Sequence, residues 1–227
     1  MKHTYLLPAF SLLGLLSGCS KNPVQEFRLS TEQLAWQPYR TGNVLRFGQA
    51  SSGKVRTFII DEVEDKLKEY SIGGNAPVFF GSPKRVKSQS IEVLVRRTDT
   101  IRYTPTPTST PTRPDSIPDT YARSLLSMSA GDNFDVGYAY LNWDFGFSNS
   151  LPIDEVIAGR PLMNSAQLLP TLRLGGINYE SVLRIPNGLS GNPSGFPRNK
   201  PARFVYYAKG FGVVGFEEGN TLWYRLP

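Results

Sequence analysis

Short runs of alternating apolar residues, broken at close intervals by glycine, proline and asparagine, constrain this chain more than any other feature. Ile91, Val93 and Val95 alternate with Glu92, Leu94 and Arg96, the period-2 pattern of a strand with one face inward. Leu172–Leu174 runs into Gly175-Gly176, after which Ile177, Tyr179, Ser181, Leu183 and Ile185 alternate. That predicts a hairpin with a Gly-Gly turn. Strands are expected over 203–209, 211–217 and 221–226, punctuated at Gly210 and at Gly219-Asn220. Near the N-terminus, 42–48 and 54–63 read as strands about a Ser51-Ser52-Gly53 turn. Val55, Thr57 and Ile59 share one face and Phe58 and Ile60 the other, which suits a mid-sheet strand. The chain carries 11 Tyr, 13 Phe, 3 Trp, 21 Gly and 18 Pro, a mixture that favours short strands and many turns over a helical bundle. The expected fold is mainly β, an antiparallel curved sheet or a sandwich or half-barrel, with one or two short helices.

Ser30-Thr31-Glu32-Gln33 has the capping-box pattern. It predicts a short helix through Trp36, stopped by Pro38. Trp36 and Tyr39 adjoin the first strand and read as core plugs. A turn of helix is expected near Ile153–Ile157, and a short helix or packed loop over Tyr121–Met128. Phe134, Val136, Tyr138 and Tyr140 share one parity, and Leu141, Trp143, Phe145 and Phe147 share the other. This predicts a bulge or bend near Tyr140–Leu141. The mixed-sign cluster Asp61 to Glu69 reads as a solvated hairpin end, with Leu67, Tyr70 and Ile72 in the return strand. Thr104 to Pro118 is an alternating Thr/Pro tract with nothing to bury. It is read as a long exposed loop within one β-rich domain over 30–227, rather than as a linker between two domains.

The polar chemistry is sparse. The only cysteine is Cys19 and the only histidine is His3. Both stand at the head of the chain, where Lys2 and His3 precede a mostly apolar run from Tyr5 to Leu16 and the small residues Ser17 and Gly18. This is the layout of a secretory signal. The run is too short to span a bilayer, which takes about 20 residues. Leu16-Ser17-Gly18-Cys19 resembles the lipobox of bacterial lipoproteins. The resemblance implies cleavage before Cys19, acylation of its thiol and of the new amino terminus, and stable anchoring by two or more acyl chains such as palmitate. Residues 1–18 are then the signal peptide and 19–29 a flexible tether. The mature chain would have 227 − 18 = 209 residues, and loss of Lys2 would lower the net charge from +6 to +5.

A mature chain of this kind has no imidazole and no free thiol. That removes Ser-His-Asp and Cys-His catalysis and nearly every protein zinc site. Fold stability must then come from the core alone. Gly210-Phe-Gly212-Val-Val-Gly215 fits the dinucleotide fingerprint in spelling only, because 12 residues remain after it and its neighbours are β-formers. Gly188-Leu-Ser190-Gly191 misses the spacing of a nucleophile elbow. Asp132, Asp135 and Asp144 lack the spacing of an EF-hand loop. No catalytic residue, metal ligand or cofactor is assigned, and ligand-binding residues are left open.

The C-terminal part also resembles a family. Tyr179-Glu-Ser-Val182-Leu183-Arg-Ile185, Tyr206-Tyr207-Ala-Lys209-Gly210-Phe-Gly212-Val213-Val214, Trp223 and Leu226 are similar to the end of many uncharacterised Bacteroidota lipoproteins, with an echo in Trp36, Tyr39 and Gly42. The resemblance implies an antiparallel terminal meander and a cell-envelope location, and carries no catalytic residues. Asp99-Thr100-Ile101 and Asp115-Ser116-Ile117 resemble a short O-glycosylation pattern of the same bacteria. The expected function is that of a lipid-anchored protein of the outer membrane, facing either side, with a non-catalytic binding or structural role. Its expected partners are the membrane through the lipid, and an envelope protein or glycan; no nucleic acid is expected. The alternative is a carrier holding a lipid or other apolar ligand in a curved sheet. A cavity lined by Phe and Tyr would favour the carrier, whereas a filled interior with an exposed aromatic patch would favour the binder.

Overall fold

The computed structural model describes residues 24–49, 51–72, 84–98, 100–102, 116–118, 122–131, 137–144, 146–189 and 201–227. Cys19, the lipobox, the Thr/Pro tract over 104–115, Asp132, Asp135, Ser190 and Gly191 lie outside them. The strands are β1 (Gln25–Phe27), β2 (Val44–Gln49), β3 (Val55–Ile72), β4 (Lys84–Arg97), β5 (Thr100–Arg102), β6 (Ser116–Pro118), β7 (Arg123–Ser129), β8 (Tyr138–Trp143), β9 (Phe147–Ser150), β10 (Gln167–Leu174), β11 (Ile177–Pro186), β12 (Ala202–Ala208), β13 (Gly212–Glu218) and β14 (Thr221–Arg225). Two short helices, α1 (Thr31–Leu34) and α2 (Ile153–Ile157), complete the described elements. The fold is mainly β, one curled antiparallel half-barrel sheet in the order β10-β11-β12-β13-β14-β2-β3-β4-β7-β8-β9. β1 adds to β4 in parallel, and β5 pairs with β6 as a separate ribbon.

Alternation sets the curl. β2 turns Leu45 and Phe47 inward, β3 Phe58 and Ile60, β4 Ile91, Val93 and Val95, and β8 Leu141 and Trp143. These side chains meet those of β13 and β14 in one aromatic cluster. Phe47 lies 5.1 Å from Trp143 and 5.4 Å from Phe216 between ring centroids, and Phe58 lies 4.7 Å from Trp143. Trp143 and Phe216 are 5.2 Å apart although their strands stand six places apart in the sheet. Only a strongly curled sheet brings such strands face to face. The β9 edge returns to the end of β11, where the Gly188 amide donates to the Ser148 carbonyl at 3.0 Å. The Asn149 amide likewise donates to the Pro186 carbonyl at 2.8 Å.

The two ends of the half-barrel are closed differently. At one end the Arg56 guanidinium lies 4.1 Å over the Trp223 ring and forks onto the Glu218 carboxylate. Asp144, also near Arg56, accepts from Arg97 at 2.8 Å. Charges beside an aromatic core are tolerated because each is matched by an opposite charge and hydrogen-bonded. At the other end α1 carries the plug. Its cap is the expected one, with Ser30 Oγ accepting from the Gln33 amide and Gln33 Oε1 from the Ser30 amide. Trp36 stacks on Tyr207 at 6.4 Å, and the Tyr207 hydroxyl donates to the Trp36 carbonyl at 2.5 Å. The Tyr39 hydroxyl accepts from the Val213 amide at 2.8 Å. Gly212 sits at φ +76°, and a Cβ there would strike the Tyr39 ring. The glycine-rich spelling therefore serves a turn and a close approach, as expected, and the N-terminal echo and C-terminal motif form one contact.

Several expectations are corrected. Tyr121–Met128 is not a helix, since Arg123–Ser129 pairs with β4 on one side and β8 on the other; its partners override an ambiguous local pattern. The charged stretch Asp61 to Glu69 is not a hairpin end. β3 runs on through it, with one bulge at Asp61, because β4 pairs it from Phe58↔Arg97 to Ile72↔Lys84. Residues 25–29, expected in the flexible tether, enter the fold. Gln25–Phe27 pairs with Val86–Ser88, and Leu29 is buried with its amide donating to the Gln89 side chain at 3.0 Å. β10 begins at Gln167, upstream of the Leu172–Leu174 run from which the hairpin was expected.

The change of phase expected near Tyr140–Leu141 is absent, because β8 keeps an unbroken register with β7 and β9 through those residues. It occurs instead in β11, where Ser181 adopts a left-handed φ of 51°. Tyr179 and Val182 pack in a small outer cluster with Leu174, Tyr206 and Val214, while Leu183 and Ile185 face the main core. The strands β11, β12 and β13 thus bury both faces.

Candidate functional site

Tyr138 and Tyr140, which the sequence sets on one parity, turn to the outer face. Ala139, Leu141 and Trp143 take the inner face of β8, leaving Tyr138 and Tyr140 on the outer face, 49% and 46% exposed. Their ring centroids are 5.6 Å apart with planes at 59°. The register sets Tyr138 opposite Ser129, and Tyr140 between Ser127 and Ser150. Two aromatic rings therefore stand in a field of hydroxyls. Leaving two large amphipathic rings half in water does not help the core, which suits them to contact a ligand.

Clefts flank the pair on both sides. One, of about 270 Å³, lies between β8, β9, α1 and α2; Tyr138, Tyr140, Ser150, Asp154, Met163 and Asn164 are among its walls. Gln33 of α1 donates to Asp154 of α2 at 2.7 Å, tying the two helices together at its floor. Asn164 and its neighbour Ser165 both adopt left-handed backbone, φ 56° and 57°. That conformation is uncommon outside glycine, and it holds the Asn164 amide over Ser150 Oγ at 2.7 Å. The other cleft, of about 330 Å³, is bounded by Lys68, Tyr70, Ser88, Ser90, Ser129 and Tyr138. Tyr138 and Ser129 belong to both.

The support beneath the second cleft is polar and satisfied. Ser88 Oγ donates to the Ala130 carbonyl and lies 3.3 Å from Ser129 Oγ. The buried Gln89 amide donates to both carboxylate oxygens of Asp65 at 2.9 Å. The phenols strongly perturbed by burial are elsewhere. Burial pushes Tyr39 up to about 12 and Tyr207 in the same direction, and both hydroxyls serve the α1 plug. Asp144, weighed as a cation ligand, is engaged by Arg56 and Arg97.

This arrangement offers stacking surfaces, hydroxyl and amide groups, the carboxylates of Asp154 and Glu155 and the ammonium of Lys68 around a shared tyrosine. Such groups can stack on a ring and hydrogen-bond its substituents. The sequence signal was present in the shared parity of Tyr138 and Tyr140, which does not say which face turns to solvent. The chain was compared with family models, with curated proteins and with solved structures, and no match was found in any of the three.

Proposed function

We propose that this chain is a lipid-anchored cell-envelope protein, held at the outer membrane through Cys19, whose role is to bind an envelope glycan at the Tyr138–Tyr140 surface. The observation that carries the reading is the division of the aromatics. Phe47, Phe58, Trp143, Phe216 and Trp223 fill the inside of the curled sheet, while Tyr138 and Tyr140 stand outside between two clefts. A filled interior speaks for a binder over a carrier of apolar ligands. Sugar rings present apolar C–H faces that stack on tyrosine, and hydroxyls that pair with Ser150, Asn164 and Ser129. A concave site with a few convergent polar groups is how such ligands are held.

Two experiments test the two halves. Soluble fragments of envelope polysaccharide and peptidoglycan are titrated against the protein while tyrosine fluorescence is followed. Tyr138→Ala with Tyr140→Ala should weaken binding by at least about tenfold and shift folding stability by no more than about 0.5 kcal/mol, as exposed positions do. A wild-type protein that binds none of these fragments, or a double variant that binds as well as wild type, overturns the glycan reading. For the anchor, Cys19→Ala should move the protein from the membrane fraction into a soluble or precursor form. Unchanged fractionation, with no acyl mass on the mature N-terminal peptide, overturns it.

A further inference from the structure

The far half of the β3–β4 hairpin runs on past the end of β7. β7 accompanies β4 only as far as Ser90. Beyond it β4 runs back to Lys84 with β3 on one side and only the three residues of β1 on the other. Its base is packed, with Ser88 bonded to the Ala130 carbonyl and Gln89 to the Leu29 amide, and the four steps from Ser88 to Lys84, at about 3.3 Å each, extend it by about 13 Å.

That projection is cationic. From Lys66 to Ile72 and from Lys84 to Ser90 there are five basic residues, Lys66, Lys68, Lys84, Arg85 and Lys87, against one acid, Glu69. The pairing puts Lys66 and Lys68 on one face, opposite Ser90 and Ser88. Arg85 and Lys87 fall on the other, with Glu69. Lys66 is paired with Glu64 at 2.6 Å and Arg85 with Glu69 at 3.5 Å. Lys68 and Lys87 form no ion pair among the described residues. The register sets Lys87 between Glu69 of β3 and Glu26 of β1, the latter paired with Arg28, and Asp65 is held by Gln89. The connecting residues 73–83 contain no charged residue.

The direction of β1 adds the second observation. It runs parallel to β4, with Gln25 opposite Val86 and Phe27 opposite Ser88. The chain therefore enters the fold from the tip side of the ribbon. Only five residues lie between Cys19 and Gln25, six chain steps with a reach of at most about 20 Å. A lipid on Cys19 would hold the ribbon against the bilayer, within a few screening lengths of its charge.

We propose that the β3–β4 ribbon is a membrane footing, which sets its basic tip among the headgroups of anionic phospholipids and points the half-barrel away from the leaflet. The proposal rests on the reading of Cys19 as the anchor for its orientation, but the footing itself is a separate contact. Cations on both faces suit an end-on approach, since a ribbon lying flat would use one face alone. Each Lys or Arg near an anionic surface strengthens binding by about fivefold.

The test separates the footing from the anchor and from any glycan. The full chain carrying Cys19→Ala, which has no thiol to acylate, is sedimented with vesicles of phosphatidylcholine alone or with added phosphatidylglycerol. Neither preparation contains glycan. Binding should appear with phosphatidylglycerol, fall as salt is raised, and weaken by about thirtyfold in a further Lys68→Gln, Lys87→Gln variant. Lys68→Glu with Lys87→Glu should weaken it more. Lys54→Glu with Arg203→Glu, at the opposite end of the half-barrel, should leave it close to the parent. Equal binding to both vesicle types, or equal losses from the two pairs of reversals, overturns the footing. Circular dichroism of each variant shows that it is folded, and the graded loss from Gln to Glu reports charge rather than structure. Acyl mass on the N-terminal peptide of the unaltered protein is read separately, so a failed anchor and a failed footing give different results.

Discussion

Tyr39 has a role in the plug that titration can read. Burial holds its phenol protonated, raising its pKa from 10 to about 12 against the smaller, lowering effect of the bond from the Val213 amide. A group whose pKa is raised in the fold contributes its stability in full below the unfolded value and loses it as pH climbs through the folded one. Stability should therefore hold to about pH 10 and fall between about 10 and 12, by about 3 kcal/mol for a shift of this size. Tyr207 steepens the fall in the same direction. Tyr39→Phe should flatten that part of the profile while lowering stability at neutral pH by about 1–3 kcal/mol, because the Val213 amide loses its acceptor in a buried place. Urea unfolding at a series of alkaline pH values measures both. The plug was legible in the sequence, because Trp36 and Tyr39 adjoin the first strand and have no amphipathic alternative. The surface tyrosines were not. In β8 both parities are aromatic, and period 2 alone does not say which one turns inward. Packing decides it, since Leu141 and Trp143 fill the core and carry no phenolic hydroxyl to solvate.

The elements show the same division. The α1 capping box and the Gly175-Gly176 turn were readable because each is a local pattern with a local cause. The length of β3 was not, because a strand is sustained by its partner. Asp61 to Glu69 looks like a turn until β4 is known to run beside it, and the three-residue β1 has too little pattern to be seen at all. β1 nonetheless shields one edge of a ribbon that a two-stranded hairpin would hold only marginally. Glu26→Pro removes a ladder donor and disfavours the extended pairing. It should speed amide exchange at Val86–Ser88 by at least about tenfold while the amides of β12 and β13 keep their protection. Exchange followed by mass spectrometry over the corresponding peptides checks this. Equal changes in both regions would show that the ribbon and the half-barrel open as one unit.

At the scale of the molecule, the strand order has a consequence for stability. β14 lies between β13 and β2, with Trp223 opposite Gln49 and Phe216 opposite Trp223. It makes the only strand pairing, among the described residues, between the C-terminal strands and the N-terminal ones. Removing residues 221–227 should abolish cooperative unfolding and the near-ultraviolet signal of the buried tryptophans, leaving exposed apolar surface that binds a hydrophobic dye. A truncated chain with a sharp transition within a few degrees of the parent would contradict this. The mainly β class and the terminal meander could be read from the sequence, whereas the join of β14 to β2 could not. Strand partners that distant leave no local trace, and register is a property of the pair.

That same join also bears on timing. A chain made from its N-terminus has no continuous sheet until residues 221–225 have emerged, so the half-barrel closes only after every other described strand has been made. Such long-range pairing is slow to form.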